Sequence, residues 1–515
     1  MINKKKKIKD LIRGYYKLKG KSNHYLSYLK DDIISVDLNI DNEVLQKFFK
    51  TKLDLNFEII VKQLLLTDLL DDFFFNKKIL SYLYNKKPIF FPICVQWKKI
   101  FKLHDISVNY FISNILFYFY IFKKIIKGIR EIFKQLISNN HLKDNYNYIS
   151  FLDLEENSSL PKKKNSYDII TWVNEIYNKN YNFDYIHIKG KEKEYKFTKK
   201  LVFNDNIIHP SLDINEKIHF LSWSLFFFIK LFLDLLRGRW ATSLLSYEIV
   251  LAKKIELLNA NKLAKEYFFS FSKYSFRPLW TYFAEKKNSK VSLFCYGANI
   301  PFYEIKGEHT SNYNIKYVTW NFLLWSDDFK EFIEKHCPHV GNIEKYDFIY
   351  YSDSSYDLNI NKKEKYIAIF DILPLRYFKI AEMGRIFYPI DFPYIKKFIE
   401  DITDCAKLKN YKILIKHKRN ISSDAHNLHY QDFLYTFQRE TIKIIDSDFS
   451  ANKLVSMTDF SISCPFTSAG LLGRIYNKQS IYYDPFSIIC KNDRAAQGIK
   501  VLSGKKELDN FFLSK

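Results

Sequence analysis

Cysteine is sparse. The six residues in a chain of 515 (Cys94, Cys295, Cys337, Cys405, Cys464 and Cys490) form neither a CxxC pair nor an even framework. That spacing excludes a disulfide scaffold and fits buried thiols in a reducing compartment. His336-Cys337-Pro338-His339 has metal-binding residue types, but no second ligand pair accompanies it, so it reads as structural. Clean apolar runs are also lacking. Residues 106–122 are interrupted by Asn109, Asn114, two serines and three tyrosines, and residues 218–236 by Lys230 and Asp234. Neither supplies the roughly 20 apolar residues of a membrane span. The N-terminal MINKKKKIKDLIRGYY is basic but lacks the apolar core and cleavage site of a secretory signal. The expectation is a cytoplasmic protein without a transmembrane anchor, its long apolar helices buried or lying on a surface. Lys123, Lys124, Lys127, Arg130 and Lys134 follow the first of these helices. They suit peripheral contact with the anionic cytoplasmic face of the inner membrane.

Glycine (13) and proline (12) are few, while Lys, Asn, Ile, Tyr and Phe abound. An AT-rich coding sequence produces this bias, so part of the formal charge of +23 follows from coding rather than from a partner. Charge alone therefore does not assign nucleic acid as a ligand, although it keeps a non-catalytic basic surface-binding protein open as an alternative. What the chain has in quantity is apolar surface: 47% of its residues are hydrophobic and 18% of all residues are aromatic, which excludes disorder, and the length implies two or three domains.

Residues 1–160 are mainly helical in pattern, with a short strand expected at 89–95 and a long helix at 108–136. Residues 161–362 alternate between strands and helices. There 168–172 and 185–188 read as strand or helix-edge elements, 215–271 as a helical block, 290–295, 316–319 and 348–351 as strands, and 327–336 as a helix. Residues 363–515 repeat the alternation more clearly, with strands at 366–370, 412–416, 441–445, 459–464 and 480–483 and helices between them. That is a doubly wound α/β domain, which binds ligands beyond the carboxyl ends of its strands. No internal repeat is visible.

Residues following those strands meet on one rim. They are Asp371 and Arg376, then Lys416-His417-Lys418-Arg419, then Asp446-Ser447-Asp448 with Ser450 heading the next helix, then Thr467-Ser468. A basic turn, an imidazole and a hydroxyl-capped helix start suit a phosphate or nucleotide, because the helix dipole favours an anion. Asp446-Ser447-Asp448 has the form of a DxD metal site, but with no second carboxylate cluster it reads as a cap, and no metal is expected.

Pro465-Phe466-Thr467-Ser468, with Ser480 to Pro485 and Gln497-Gly498-Ile499, resembles the polysaccharide biosynthesis PFTS-motif proteins. Arg277-Pro278-Leu279-Trp280, Phe370-Asp371-Ile372 with Pro374 and Arg376, Lys416 to Arg419 and Ser450-Ala451 extend the match. More distantly the layout is similar to bacterial GT-B transferases that use CMP-sugars. The resemblance implies two Rossmann-type domains facing a cleft, an extra helical N-terminal region, and metal-independent inverting transfer in capsule- or O-antigen-type polysaccharide synthesis. The nucleotide-sugar is the donor substrate, no cofactor is expected, and the acceptor is a glycan or a lipid-linked glycan. Carried over by residue, His417 matches the donor-binding histidine, placed also as a catalytic proton donor to the leaving group, and Thr467-Ser468 the hydroxyl pair. Lys416, Lys418, Arg419, Arg376, Ser450 and Asp484 complete the donor side. Lys418 stands where proline is usual and Asn477-Lys478-Gln479 where Gly-Lys-Pro is usual, so the nucleotide stays open. A CDP-polyol phosphotransferase of the same fold is the alternative enzyme. For the catalytic base Asp371 is placed first, with Asp168, Glu175 and Asp353 as rivals. Arg277 and Trp280 either line the cleft or pack.

Overall fold

A run such as YIAIF is apolar at every position, as a strand covered on both faces must be. The computed structural model describes residues 25–70, 72–138, 147–152, 154, 168–177, 183–188, 201–203, 210–271, 275–305, 308–350, 358–361, 363–382, 391–417, 426–427, 429–438 and 441–515. The strands are β1 (Tyr148–Phe151), β2 (Tyr185–Ile188), β3 (Leu201–Phe203), β4 (Glu266–Ser270), β5 (Lys290–Phe294), β6 (Glu304–Ile305), β7 (Glu308–His309), β8 (Phe322–Leu324) and β9 (Ile343–Lys345). They are followed by β10 (Tyr366–Phe370), β11 (Lys412–Lys416), β12 (Ile442–Ile445), β13 (Phe460–Ser463), β14 (Gln479–Asp484) and β15 (Lys500–Ser503).

Seven strands make the first sheet in the order β3-β2-β1-β4-β5-β8-β9, and six make the second in the order β12-β11-β10-β13-β14-β15. All pairings within both sheets are parallel. With the small β6–β7 hairpin set aside, the second sheet runs 3-2-1-4-5-6 from its own first strand, which is the Rossmann order, and the first sheet runs the same order with a seventh strand, β9, added at its edge. The molecule is thus α/β, with two Rossmann-type domains of the GT-B kind and a helical N-terminal region.

That region comprises α1 (Tyr25–Ser35), α2 (Asn42–Gln46), α3 (Phe57–Asp68), α4 (Asp72–Asn85), α5 (Lys98–Leu103) and the 28-residue α6 (Tyr110–Ile137). It shares one apolar core with the first sheet and with one face of the second. Gln63 ties it down: its amide nitrogen donates to the carbonyl of Tyr317 (2.6 Å) and its amide oxygen accepts from Arg277 N–H (3.1 Å). The helices of the first α/β layer are α7 (Ile169–Trp172), α8 (Ile214–Leu236), α9 (Trp240–Leu244), α10 (Ser246–Leu257), α11 (Trp280–Lys286) and α12 (Asp327–His336). Those of the second are α13 (Tyr377–Glu382), α14 (Phe392–Leu408), α15 (His429–Phe437), α16 (Ala451–Met457), α17 (Ser468–Ile475) and α18 (Lys505–Leu513). In β10 the alternate residues Ile367 and Ile369 enter the core under α14, α15 and α18, while Ala368 and Phe370 face the larger core.

Several expected elements moved. Residues 89–95 form only an isolated bridge, Ile89 to Val108, and a 3₁₀ turn at Val95–Trp97. Residues 316–319 and 348–350 are not strands; the sheet takes 322–324 and 343–345 instead. The expected helical block 215–271 stops at Leu257, and Glu266–Ser270 is a central strand. Its continuous burial removes the alternation that would have announced it. Residues 169–172 are helical, β1 lies upstream of residue 161, and β15 with α18 extends the second domain beyond the last expected strand.

Two glycines set how closely α17 lies on β14. A Cβ on Gly470 would overlap the ring of Tyr482, which is fully buried, coming within 2.6 Å of Cζ. One on Gly473 would meet the Lys478 carbonyl oxygen at 2.7 Å. In a free helix Gly→Ala stabilises by about 1 kcal/mol. Here Gly470→Ala is expected to destabilise by about 1–3 kcal/mol, the range for overpacked cores. Urea unfolding reads the sign; a stabilised variant would show that the contact is loose.

Candidate active site

Phe370 and Lys416 are register partners in the parallel β10–β11 pair, so the residues that follow them emerge side by side. These are Asp371 and His417. His417 Nδ1 lies 3.0 Å from Asp371 Oδ2, and the Asp371 side chain has no exposure. Tyr430 of α15 closes over the pair, its ring edge-on to the imidazole at 5.8 Å and its hydroxyl donating to the same Oδ2. Burial and the charge of Asp371 hold the Tyr430 phenol well above its ordinary pKa, so it serves as a donor. Asp371 Oδ1 is buried without a hydrogen-bond partner among the described residues. Nδ1–H facing a carboxylate leaves the lone pair on Nε2, and among the described residues no hydrogen bond engages that nitrogen. The side chain of His417 keeps 13% exposure. An oriented imidazole with one free nitrogen at a sheet rim can move a proton.

The residue placed first as base, Asp371, is enclosed. Asp371 lies behind the imidazole and positions it, so the group turned outward is His417. Asp168 is buried and caps α7, accepting from Thr171 N (3.0 Å) and Thr171 Oγ1 (3.0 Å). Glu175 is exposed on the turn that follows. Asp353, Lys418 and Arg419 lie outside the described residues. Arg277 is a packing residue: Nη1 donates to the Thr319 carbonyl (2.8 Å), Nη2 pairs with Glu285 (2.5 Å), and Tyr282 stacks beneath it at 4.2 Å. Trp280 is buried against Tyr267.

Of the expected donor-side residues, Lys416 is nearly enclosed. Its ammonium donates to the carbonyls of His417 (3.0 Å) and Ser447 (3.0 Å), joining the turns after β11 and β12. Arg376 Nε donates to the His426 carbonyl (2.9 Å). Ser450 caps α16 by accepting from Lys453 N (3.3 Å). Asp446 Oδ1 accepts from Asp448 N (2.9 Å), a local turn. Asp484 is fully buried and organises the turn after β14, accepting from Ile489 N (2.8 Å), Phe486 N (3.2 Å) and Tyr394 Oη (3.2 Å). Among the described residues no three His, Cys, Asp or Glu converge as metal ligands.

The PFTS turn serves a second purpose. Phe466 sits at φ +61°, a left-handed conformation costing a bulky residue about 1–2 kcal/mol. Its ring is wedged between Phe302 (4.9 Å) and Tyr482 (5.8 Å), which offsets the strain. Thr467 takes the N-cap position of α17, but its hydroxyl donates back to the Cys464 carbonyl (2.9 Å). Ser468 is engaged by the first domain. Its N–H donates to Asn299 Oδ1 (3.2 Å), its hydroxyl donates to the same oxygen, and it accepts from Ala298 N–H (3.0 Å). The helix start expected to hold an anion thus holds a carboxamide from the loop after β5. Strands β11 and β13 flank β10, so His417 and Ser468 share a rim, but their strand ends lie two spacings apart, about 10 Å.

Nearby contacts complete the clasp between domains. Asp493 accepts from Tyr303 N and Glu304 N (both 3.0 Å), and Gln497, at φ +50°, donates to the Ala298 carbonyl (2.5 Å) and accepts from Ser326. Tyr430, Asn299, Asp493 and Gln497 were not singled out as site residues. Applying the strand-end rule to β5 would have found Asn299; nothing in the sequence marks Tyr430.

Burial pushes the Lys416 ammonium down to about 8, below the 10.4 of a free lysine. Between these values the unfolded chain binds the extra proton, so burial of the charged lysine opposes folding fully below pH 8, and that cost fades as pH rises towards 10.4. Wild type is therefore expected to gain stability relative to Lys416→Met between pH 8 and 10.4. Paired denaturant titrations across that range check it, and a flat difference would contradict the burial argument.

Residues 223–512 match the model of the polysaccharide biosynthesis PFTS motif protein family. No curated protein matches the chain in sequence. Similar solved structures include a variant of the wall teichoic acid polymerase TagF, with 13% identity over 76% of this chain and 88% of that one, TM-score 0.35. The UDP-GlcNAc 2-epimerase of Methanocaldococcus jannaschii shares 6% identity over 72% and 92%, TM-score 0.35. HepE of Anabaena, in complex with UDP-glucose, shares 9% over 71% and 89%, TM-score 0.31. At such scores the likeness adds nothing to the topology already described. The family match spans more than half of the chain, from α8 to the last turn of α18, and by it this protein belongs to the polysaccharide biosynthesis PFTS motif family.

Proposed function

We propose that the protein is a glycosyltransferase of surface polysaccharide assembly, working by metal-independent inversion from a nucleotide-sugar, with a CMP-linked donor as the first choice. What carries the reading is the buried Asp371–His417–Tyr430 cluster on the rim where a Rossmann sheet binds ligands. His417 Nε2 takes the proton of the acceptor hydroxyl as its oxygen bonds to the anomeric carbon. The bond from that carbon to the donor phosphate breaks, and the phosphate leaves with the electron pair. Asp371 holds the ring in the productive tautomer and offsets the charge it acquires. The acceptor is a glycan or a lipid-linked glycan.

Released nucleotide is the readout, with CMP-sugars, UDP-sugars and CDP-glycerol as donors; turnover of CDP-glycerol alone would move the reading to a phosphotransferase. His417→Ala is expected to lower kcat by about 10²–10⁴, the range for a positioned acid or base. Asp371→Asn should lower kcat with little effect on KM and alter the pH profile, since it touches no substrate. Full activity in folded His417→Ala would end the proposal. In a thermal-shift panel of CMP, CDP, UDP and GDP, the accepted nucleotide raises Tm in wild type and in His417→Ala alike.

A further inference from the structure

Helices α6 and α8 form an antiparallel pair on the outside of the first domain. Lys217 at the start of α8 donates to the Ser138 carbonyl that ends α6 (2.7 Å), and Ser138 Oγ meets Ser211 Oγ (2.8 Å). Both helices rest on α9 and α10 through their inner faces. Ser246 Oγ donates to the Lys124 carbonyl (2.8 Å), and Phe117 packs on Trp240 at 5.2 Å. On α8 the inner face is Phe220, Ser224, Phe227, Leu231 and Asp234.

The outer faces are as apolar as the inner ones. On α8, Ile218, Leu221, Leu225, Ile229, Phe232 and Leu236 recur at helical spacing and are exposed by 48–69%. On α6, Phe111, Ile115, Phe119, Phe122, Ile126 and Phe133 do the same at 49–78%. Isolated exposed apolar residues are ordinary, but two adjoining stripes along helices about 42 and 35 Å long are not. Beside the α6 stripe run the exposed cations Lys123 and Arg130.

We propose that this face seats on an anionic phospholipid bilayer, with α6 and α8 lying in the interfacial plane. The charge pattern favours lipid over a second copy of the chain. The acids of the two helices are withdrawn: Glu131 and Asp234 are buried, and Glu216 is held in the capping box and by Lys262. A two-fold contact between these helices would bring no exposed carboxylate of theirs to the basic residues, whereas anionic headgroups complement their charge. By length and composition α8 is able to cross a membrane. Its inner face is nevertheless fastened to the protein: Trp223 Nε1 donates to the Phe48 carbonyl (2.9 Å), and buried Asp234 pairs with Lys230 and Thr242 (both 3.1 Å). A helix held along one side lies flat. The proposal does not rest on the transferase reading.

Co-sedimentation of the full chain with phosphatidylglycerol–phosphatidylcholine vesicles, against phosphatidylcholine alone, tests it without any activity readout. Wild type is expected to pellet with the anionic vesicles, and added salt to weaken binding. Phe119→Ser/Leu225→Ser/Phe232→Ser should lower binding by at least about tenfold with Tm unchanged, since these side chains touch solvent. Lys123→Gln/Arg130→Gln should lower binding to anionic vesicles by about tenfold and leave any binding to neutral vesicles alone. The proposal is overturned if wild type stays in the supernatant or if the triple variant binds as well as wild type. It is equally overturned if lipid-free wild type is a dimer that the triple variant converts to monomer.

Discussion

A buried carboxylate must be paired, because desolvating an isolated charge costs far more than the fold can supply. Asp371 lies under that constraint at the end of β10, and its donors are the imidazole of His417 and the hydroxyl of Tyr430. Everything else about the rim follows from it. The ring is pinned through Nδ1, so its orientation does not wait for a ligand, and Nε2 is the nitrogen left for chemistry. Lys416 fastens the turn that carries His417 to the turn after β12. The imidazole is therefore oriented by the protein's own groups.

The rim of the second sheet divides into two halves. The β10–β11 half carries the ionisable cluster, whereas the β13–β14 half grips the first domain. Phe466 accepts an unfavourable backbone conformation so that Ser468 reaches Asn299, and Gly470 and Gly473 let α17 lie close enough on β14 for that reach. The family's signature turn is thus, in this chain, an interdomain contact.

Much of the second domain is legible from residue order. Strands β10 to β14 are short apolar runs bounded by polar turns, and α16 starts where Ser450 caps it. The strand-end rule picks out Asp371 and His417 before any coordinates. The same reasoning misread β4, because a central strand buried on both faces has no alternation to distinguish it from helix. It also did not reveal the partner of the Ser468 hydroxyl, Asn299, which lies 169 residues earlier in the chain. The two domains share one strand order without a visible sequence repeat: topology depends on the pattern of burial, which many unrelated side chains satisfy.

By itself the sequence determined the alternation of strand and helix, the rim on which chemistry-bearing residues gather, and the apolar stripes of the two long helices. These are local properties, governed by side-chain period and turn chemistry. Only the tertiary structure decided that Asp371 stands behind His417, that Tyr430 completes the pair and that Asn299 fills the start of α17. It also decided that the outer stripes of α6 and α8 are exposed. Each depends on strand register or on contacts between segments far apart in the chain, and no local periodicity encodes which distant group will meet a given donor or acceptor.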